Sequence, residues 1–125
     1  MKDSSKLDIL GDGSQVKSYL NVEDGVKGVL DIPCLHNENS NIFNLGHYQK
    51  MNVKTLADIV CSEMNLKNVK YKYGVGNRGW IGDSPLVHLD TKKAQSYGWE
   101  PKISIEEGIR ETVRYLISKD SRIFR

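Results

Sequence analysis

Long apolar runs are missing from this chain. None approaches the roughly 20 residues that cross a bilayer, and no charged n-region leads into an apolar h-region at its start. The expected compartment is the cytoplasm, with no membrane partner. Cysteine is scarce, and its two copies, Cys34 and Cys61, form no C-x-x-C. Each falls on the apolar edge of a predicted helix, where a small buried thiol is the ordinary reading. His36, His47 and His88 lack metal-ligand spacing with one another or with the cysteines, so no metal site is expected. Excess charge is lacking too. A net charge of +2, with basic residues scattered among acids, excludes the stripe that nucleic acid would need. What is present is ordinary for a globular protein: 125 residues, 38% hydrophobic and 27% charged, read as one domain. Internal repeats and low-complexity tracts are absent.

Alternation at residues 7–10 predicts a strand that stops at Gly11-Asp12-Gly13. Residues 16–20 predict a second, and the two are placed to pair as a hairpin. Asn21 then caps a helix with Glu23 and Asp24 at its positive end. Val22, Val26, Val29 and Leu30 share the face it is expected to bury, Gly25 and Gly28 weaken it, and Pro33 ends it. A polar loop at residues 36–41 and a buried-type strand at residues 42–45 follow. Asn52 caps the next helix, whose Val53, Leu56, Ala57, Val60, Cys61 and Met64 recur at helical spacing. Residues 69–75 alternate as a strand. Asp90 caps a short helix through Tyr97, Gly98 takes the left-handed position after it, and Trp99 and Pro101 form an apolar clamp and a stop. Ser104-Ile105-Glu106-Glu107 reads as a capping box. The helix that it opens is expected to bury Ile105, Ile109, Val113, Leu116 and Ile117. The class is α/β: a small mixed domain of about four helices and about four short strands. That is too few strand–helix–strand units for a complete doubly wound sheet.

Gly74-Val75-Gly76-Asn77-Arg78-Gly79 matches G-x-G-x-x-G. In a dinucleotide-binding domain those glycines lead into a helix whose N-terminus meets the pyrophosphate. Here Trp80-Ile81-Gly82-Asp83-Ser84-Pro85 continues as loop, and no helical period returns before Asp90. The match is a decoy, so no NAD site is expected from it.

Four segments carry a resemblance. They are LDILGDGSQVKSYLNVED (7–24), IFNLG (42–46), RGWIGDSP (78–85) and LDTKKAQSYGWEPKISIEEGIRETVRYL (89–116). In this order and with these gaps the chain resembles the C-terminal part of the extended short-chain dehydrogenase/reductases, from about Lys6 to about Lys119. Those are NAD-dependent nucleoside-diphosphate-sugar epimerases and dehydratases of the UDP-glucose 4-epimerase kind. The resemblance implies the C-terminal half of such an enzyme without its Rossmann domain. The family's catalytic Tyr-x-x-x-Lys precedes the GDGSQ segment. This chain's one such spacing, Tyr115 to Lys119, closes the last helix instead, and Tyr115 reads as a helix-surface or rim aromatic.

The resemblance also implies site residues. Arginines of the family that reach a diphosphate correspond to Lys17 and Arg78, and lysine keeps the charge while losing the two-pronged fork. Asp83 corresponds to an acid that accepts from ribose hydroxyls. Asp8 and Leu10 fall where the family presents strand backbone and an apolar side chain to the base. Other readings stand beside these. Lys17 also fits a solvated hairpin lysine, Arg78 a mobile loop arginine, Asp83 a turn-stabilising aspartate or a partner of Arg78, and Leu10 a core residue. Trp80 and Trp99 could stack on a base, Trp99 being better explained by its helix-stop clamp, and Gln15 and Tyr19 carry no single reading.

Three functions follow as expectations. The chain is the nucleotide-sugar-binding portion of an epimerase or dehydratase, inactive alone. Alternatively it is a binding module without chemistry, or an assembly subunit that completes a separate Rossmann chain. Expected partners are a nucleoside-diphosphate sugar, a Rossmann domain or chain and a second copy, with NAD bound by the parent enzyme and not by this chain. An apolar patch left unburied in the monomer is expected around residues 21–35 and 42–46.

Overall fold

The computed structural model describes residues 3–34, 41–84 and 86–119. The expected polar loop at residues 36–41 falls outside them except for Asn41. In chain order the elements are β1 (Lys6–Ile9), β2 (Val16–Lys17), α1 (Val22–Cys34), β3 (Met51–Asn52), α2 (Val53–Glu63), β4 (Lys70–Tyr73), β5 (Leu86–Val87), α3 (Lys92–Ser96) and α4 (Ile105–Lys119). The result is the small mixed α/β unit that the sequence implied. No helix among the described residues is long and apolar enough to cross a membrane.

The strands pair differently from expectation. β1 and β2 form no hairpin: β1 runs parallel to β4, with Leu7 opposite Tyr71 and Ile9 opposite Tyr73. β2 instead sits between β3 and β5, antiparallel to the first and parallel to the second. Gly11 and Gly13 both adopt positive φ, 75° and 81°, and the turn they make sends β2 away from β1. Residues 42–45 form no strand. Phe43 and Leu45 pack instead as partly buried side chains against the core of Ile32, Ala94 and Trp99.

α1 buries the stripe opposite to the predicted one. Val22, Val26, Val29 and Leu30 are all exposed, whereas Asp24, Gly28 and Ile32 are buried. Gly28 explains the choice. A Cβ there would lie 2.7 Å from Trp99 Nε1 and 2.8 Å from Leu45 Cδ1, so glycine is what lets the indole lie against the helix. The indole N–H then donates to the Asp24 carbonyl at 3.1 Å. The Asp24 carboxylate accepts the backbone N–H groups of Lys102 and Ile103 at 3.0 and 2.9 Å. The helix also runs through Pro33 to Cys34, whose thiol is exposed, contrary to expectation. Cys61 is buried as expected.

Three of the capping signals hold, but α3 starts one residue later than expected: its N-cap is Thr91, without a side-chain cap bond, and Asp90 Oδ1 accepts Lys92 N at 2.9 Å. Asn52 Oδ1 accepts Thr55 N at 2.7 Å to start α2. Gly98 has φ 81° after α3, leaving Trp99 only 6% exposed. Ser104 Oγ accepts Glu107 N at 3.2 Å to open α4. Ile105 and Val113 are buried on α4, but Ile117 is exposed. α2 and α4 are tied by Glu63, which takes Arg110 Nη1 at 2.9 Å and Arg114 Nε at 2.7 Å. Those guanidiniums, Arg114 first, hold the Glu63 carboxyl below the usual range.

Candidate functional site

Two glycine-containing loops meet at the ends of β1 and β4. Gly74 N donates to the Ile9 and Gly11 carbonyls at 2.9 and 2.8 Å, and Asp12 N donates to Gly76 O at 2.7 Å. A Cβ on Gly74 would stand 2.8 Å from Gly11 N. Gly74, the first glycine of the G-x-G-x-x-G stretch, therefore serves contact between two backbones, and residues 74–84 contain no helix. The fingerprint lacks the helix N-terminus of a dinucleotide cradle, and its first glycine is closed against Gly11.

The β2–β5 pairing sets Lys17 beside the loop before β5. Its ammonium donates to Asp83 Oδ1 and to the Ser84 carbonyl. The other Asp83 oxygen accepts Gly79 N at 2.9 Å, and Asp83 N donates to Trp80 O at 3.0 Å. The Lys17 and Asp83 side chains are only 21% and 11% exposed. Lys17 first, then the Gly79 N–H, holds the Asp83 carboxyl below its ordinary value, and the Arg78 charge adds to the effect. Arg78 is exposed and forms no ion pair among the described residues; Asp83 pairs with Lys17 and not with it.

Asp8, Leu10 and Asp83 line one cleft of about 360 Å³, together with Gln15 and Gly79 and an apolar wall from α2. Lys17 joins this cleft through Asp83. Arg78 is one residue before Gly79, which lines the cleft, and is not itself a lining residue. Leu10 is 66% exposed, so the core reading fails for it. Gln15 is the residue that sequence reasoning left without a role. It is 2% exposed, its Nε2 donates to Leu10 O at 2.8 Å, and its Oε1 has no partner among the described residues. The available signal was its place two residues past the Gly11-Asp12-Gly13 turn, which folds the side chain back under the end of β1.

Against known proteins, no protein-family profile matches the chain. A putative UDP-glucose 4-epimerase of Methanocaldococcus jannaschii is 31% identical over 116 residues, 93% of this chain and 35% of that protein. The fold superposes on the UDP-glucose 4-epimerase of Thermotoga maritima, solved with UDP-glucose, with TM-score 0.75. Identity there is 32%, over 92% of this chain and 36% of that one. The chain matches the C-terminal part of the extended short-chain dehydrogenase/reductases. The fold alone is shared with dTDP-glucose 4,6-dehydratase of Bacillus anthracis, solved with NAD, at TM-score 0.77 and 21% identity over 92% and 35% of the two chains. The chain thus spans about 35% of the length of its relative from M. jannaschii.

Tyr115 is a surface residue, 60% exposed, with Lys119 Nζ 5.8 Å from its ring centre. Val22, Val26, Val29 and Leu30 line an open apolar groove of about 400 Å³ with Leu20 and Leu45. Among the described residues no three His, Cys, Asp or Glu side chains gather as metal ligands.

Proposed function

We propose that this chain is the nucleotide-gripping part of a sugar-nucleotide epimerase or dehydratase, inactive alone. The observation that carries this reading is the convergence of Asp8, Leu10 and Asp83 on one cleft, with Arg78 next in sequence to its lining residue Gly79. A nucleoside diphosphate offers a flat base, two ribose hydroxyls and a strongly anionic diphosphate. Leu10 covers an apolar edge of the base, the β1 backbone at Asp8 offers it hydrogen bonds, and Asp83 accepts from the ribose. Arg78 supplies a guanidinium, whose planar fork suits phosphate oxygens, and the Lys17 charge lies in the same corner.

NAD does not fit the residues present. Gly74 is closed against Gly11, and no helix N-terminus follows Gly79. Hydride storage and proton abstraction then fall to a Rossmann partner, domain or chain, and this chain supplies binding and orientation. The exposed stripe of α1 is the surface on which that partner docks. Its apolar side chains with a polar surround have the character of an interaction surface.

Titration of the ¹⁵N-labelled chain with UDP and with uridine tests the reading. UDP should bind at about millimolar affinity, corresponding to about −4 kcal/mol. Arg78→Ala should weaken UDP about tenfold and leave uridine nearly unchanged, because one charge-assisted contact contributes about 1.5–3 kcal/mol and part is spent ordering the loop. Equal losses for both ligands would defeat the assignment.

A further inference from the structure

The Lys17 ammonium is already engaged. It has three N–H donors and no acceptor, and two of its contacts go to Asp83 Oδ1 and the Ser84 carbonyl. Its Cα is fixed by the β2 ladder, with Val87 opposite it on β5 and Met51 on β3, and Ser18 N donates to Val87 O at 3.1 Å. The carboxylate it meets is 11% exposed. That same carboxylate fixes Gly79 N, so Lys17, Asp83 and Gly79 form one chain of contacts from β2 to the loop that carries Arg78. Were the ammonium to turn toward a diphosphate, Asp83 Oδ1 would lose its counter-charge just as further negative charge arrived beside it. Removing one partner of a sheltered ion pair is costly. Phosphate binding by Lys17 and retention of Asp83 therefore oppose each other.

We infer that Lys17 is a positioning residue: it holds Asp83 and the 79–84 loop in place, and phosphate recognition by this chain falls to Arg78. The inference rests on the nucleotide reading above and sharpens its ligand class. This chain then reads the nucleoside through Leu10 and Asp83, and tells UDP from uridine by a single guanidinium.

The test uses Lys17→Met, Lys17→Arg and Asp83→Asn in the full chain, with uridine, 2′,3′-dideoxyuridine and UDP as probes and the Gly79 amide as a ligand-free reporter. Lys17→Met should weaken uridine and UDP by the same factor, about tenfold. It should erase the preference for uridine over the dideoxy analogue, as Asp83→Asn does, which mere loss of stability would not do. Gly79 amide exchange should accelerate, and Lys17→Arg should restore all three readouts. Should the methionine variant not fold, Lys17→Gln, which keeps an N–H and drops the charge, supplies the same comparison. Loss of UDP binding with uridine retained would overturn the inference and return Lys17 to the phosphate, as would a Gly79 amide that Lys17→Met leaves unchanged. If the wild-type chain binds neither nucleoside nor nucleotide, the functional reading fails. The Gly79 amide still decides whether Lys17 anchors the loop: faster exchange that arginine restores supports it, and unchanged exchange refutes it.

Discussion

Replacing Gly28 and Gly25 by alanine should move stability in opposite directions. Both lie inside α1, where helix propensity alone favours alanine over glycine by about 1 kcal/mol. At Gly25 a new Cβ would meet only Leu20 Cδ2 at 3.5 Å, an ordinary contact, so Gly25→Ala should gain most of that, about 0.5–1 kcal/mol. At Gly28 the new methyl would stand 2.7 Å from Trp99 Nε1 and 2.9 Å from Trp99 Cε2, with Leu45 Cδ1 at 2.8 Å. The indole cannot step aside cheaply, because Trp99 packs with Ile32 and Ala94, which are 3% and 0% exposed. Overpacking of this kind costs about 1–3 kcal/mol, and losing the indole hydrogen bond to Asp24 O adds about 1 kcal/mol. Set against the propensity gain, Gly28→Ala should destabilise by about 2 kcal/mol, a fall in Tm of about 8 °C for a chain of this length. Urea unfolding followed by far-UV circular dichroism, with m unchanged, measures both variants. A Gly28→Ala chain as stable as the wild type would refute the packing of α1 on Trp99.

Other outcomes follow from the same fold. His47 is 2% exposed and accepts Gln49 N on Nδ1, and burial holds its pKa below the ordinary value, the Ile103 carbonyl and Asp24 pulling less strongly the other way. The unfolded chain therefore takes up that proton first, so this contribution is complete above pH about 6.5 and shrinks as pH falls toward the folded pKa. The urea midpoint should drop between pH 7.5 and 5.5, and His47→Gln should flatten that slope; a midpoint that rises on acidification would contradict the burial. Val26→Lys and Val29→Lys, on the exposed stripe of α1, should change the stability of the isolated chain by no more than about 0.5 kcal/mol. They should nonetheless abolish capture of an NAD-binding Rossmann partner in a pull-down with purified components. Ile32→Lys, on the buried stripe, should unfold the chain, and equal damage from all three would reverse the assignment of faces.

Signals that act within one or two turns were legible. The Asn52 and Ser104 caps and the left-handed Gly98 are decided by neighbouring residues, and each is found where the sequence put it. The choice between two stripes of α1 was not, because valine and leucine at 22, 26, 29 and 30 make the more apolar stripe. The stripe that is buried holds an aspartate and a glycine whose partners, Trp99 and the 102–103 backbone, lie more than 70 residues away. Pairing of β1 with β4 was hidden for the same reason: alternation identifies a strand but not its neighbour. At the site, Asp8, Leu10 and Asp83 line one cleft. The engagement of Lys17 by Asp83 depends on the β2–β5 register, which no local pattern encodes.

The join between the two glycine loops has a consequence for how this site can change over time. Its fastenings, Asp12 N to Gly76 O and Gly74 N to the Ile9 and Gly11 carbonyls, are all main chain. Side chains at the loop tip are not part of the fastening; Val75, for instance, is fully exposed. Positions such as 75, 77 and 81 are thus free to drift without loosening the frame, while Gly11 and Gly74 are held by geometry. New ligand preferences can be sampled at the tip one substitution at a time, each tried on a loop whose shape is already secured.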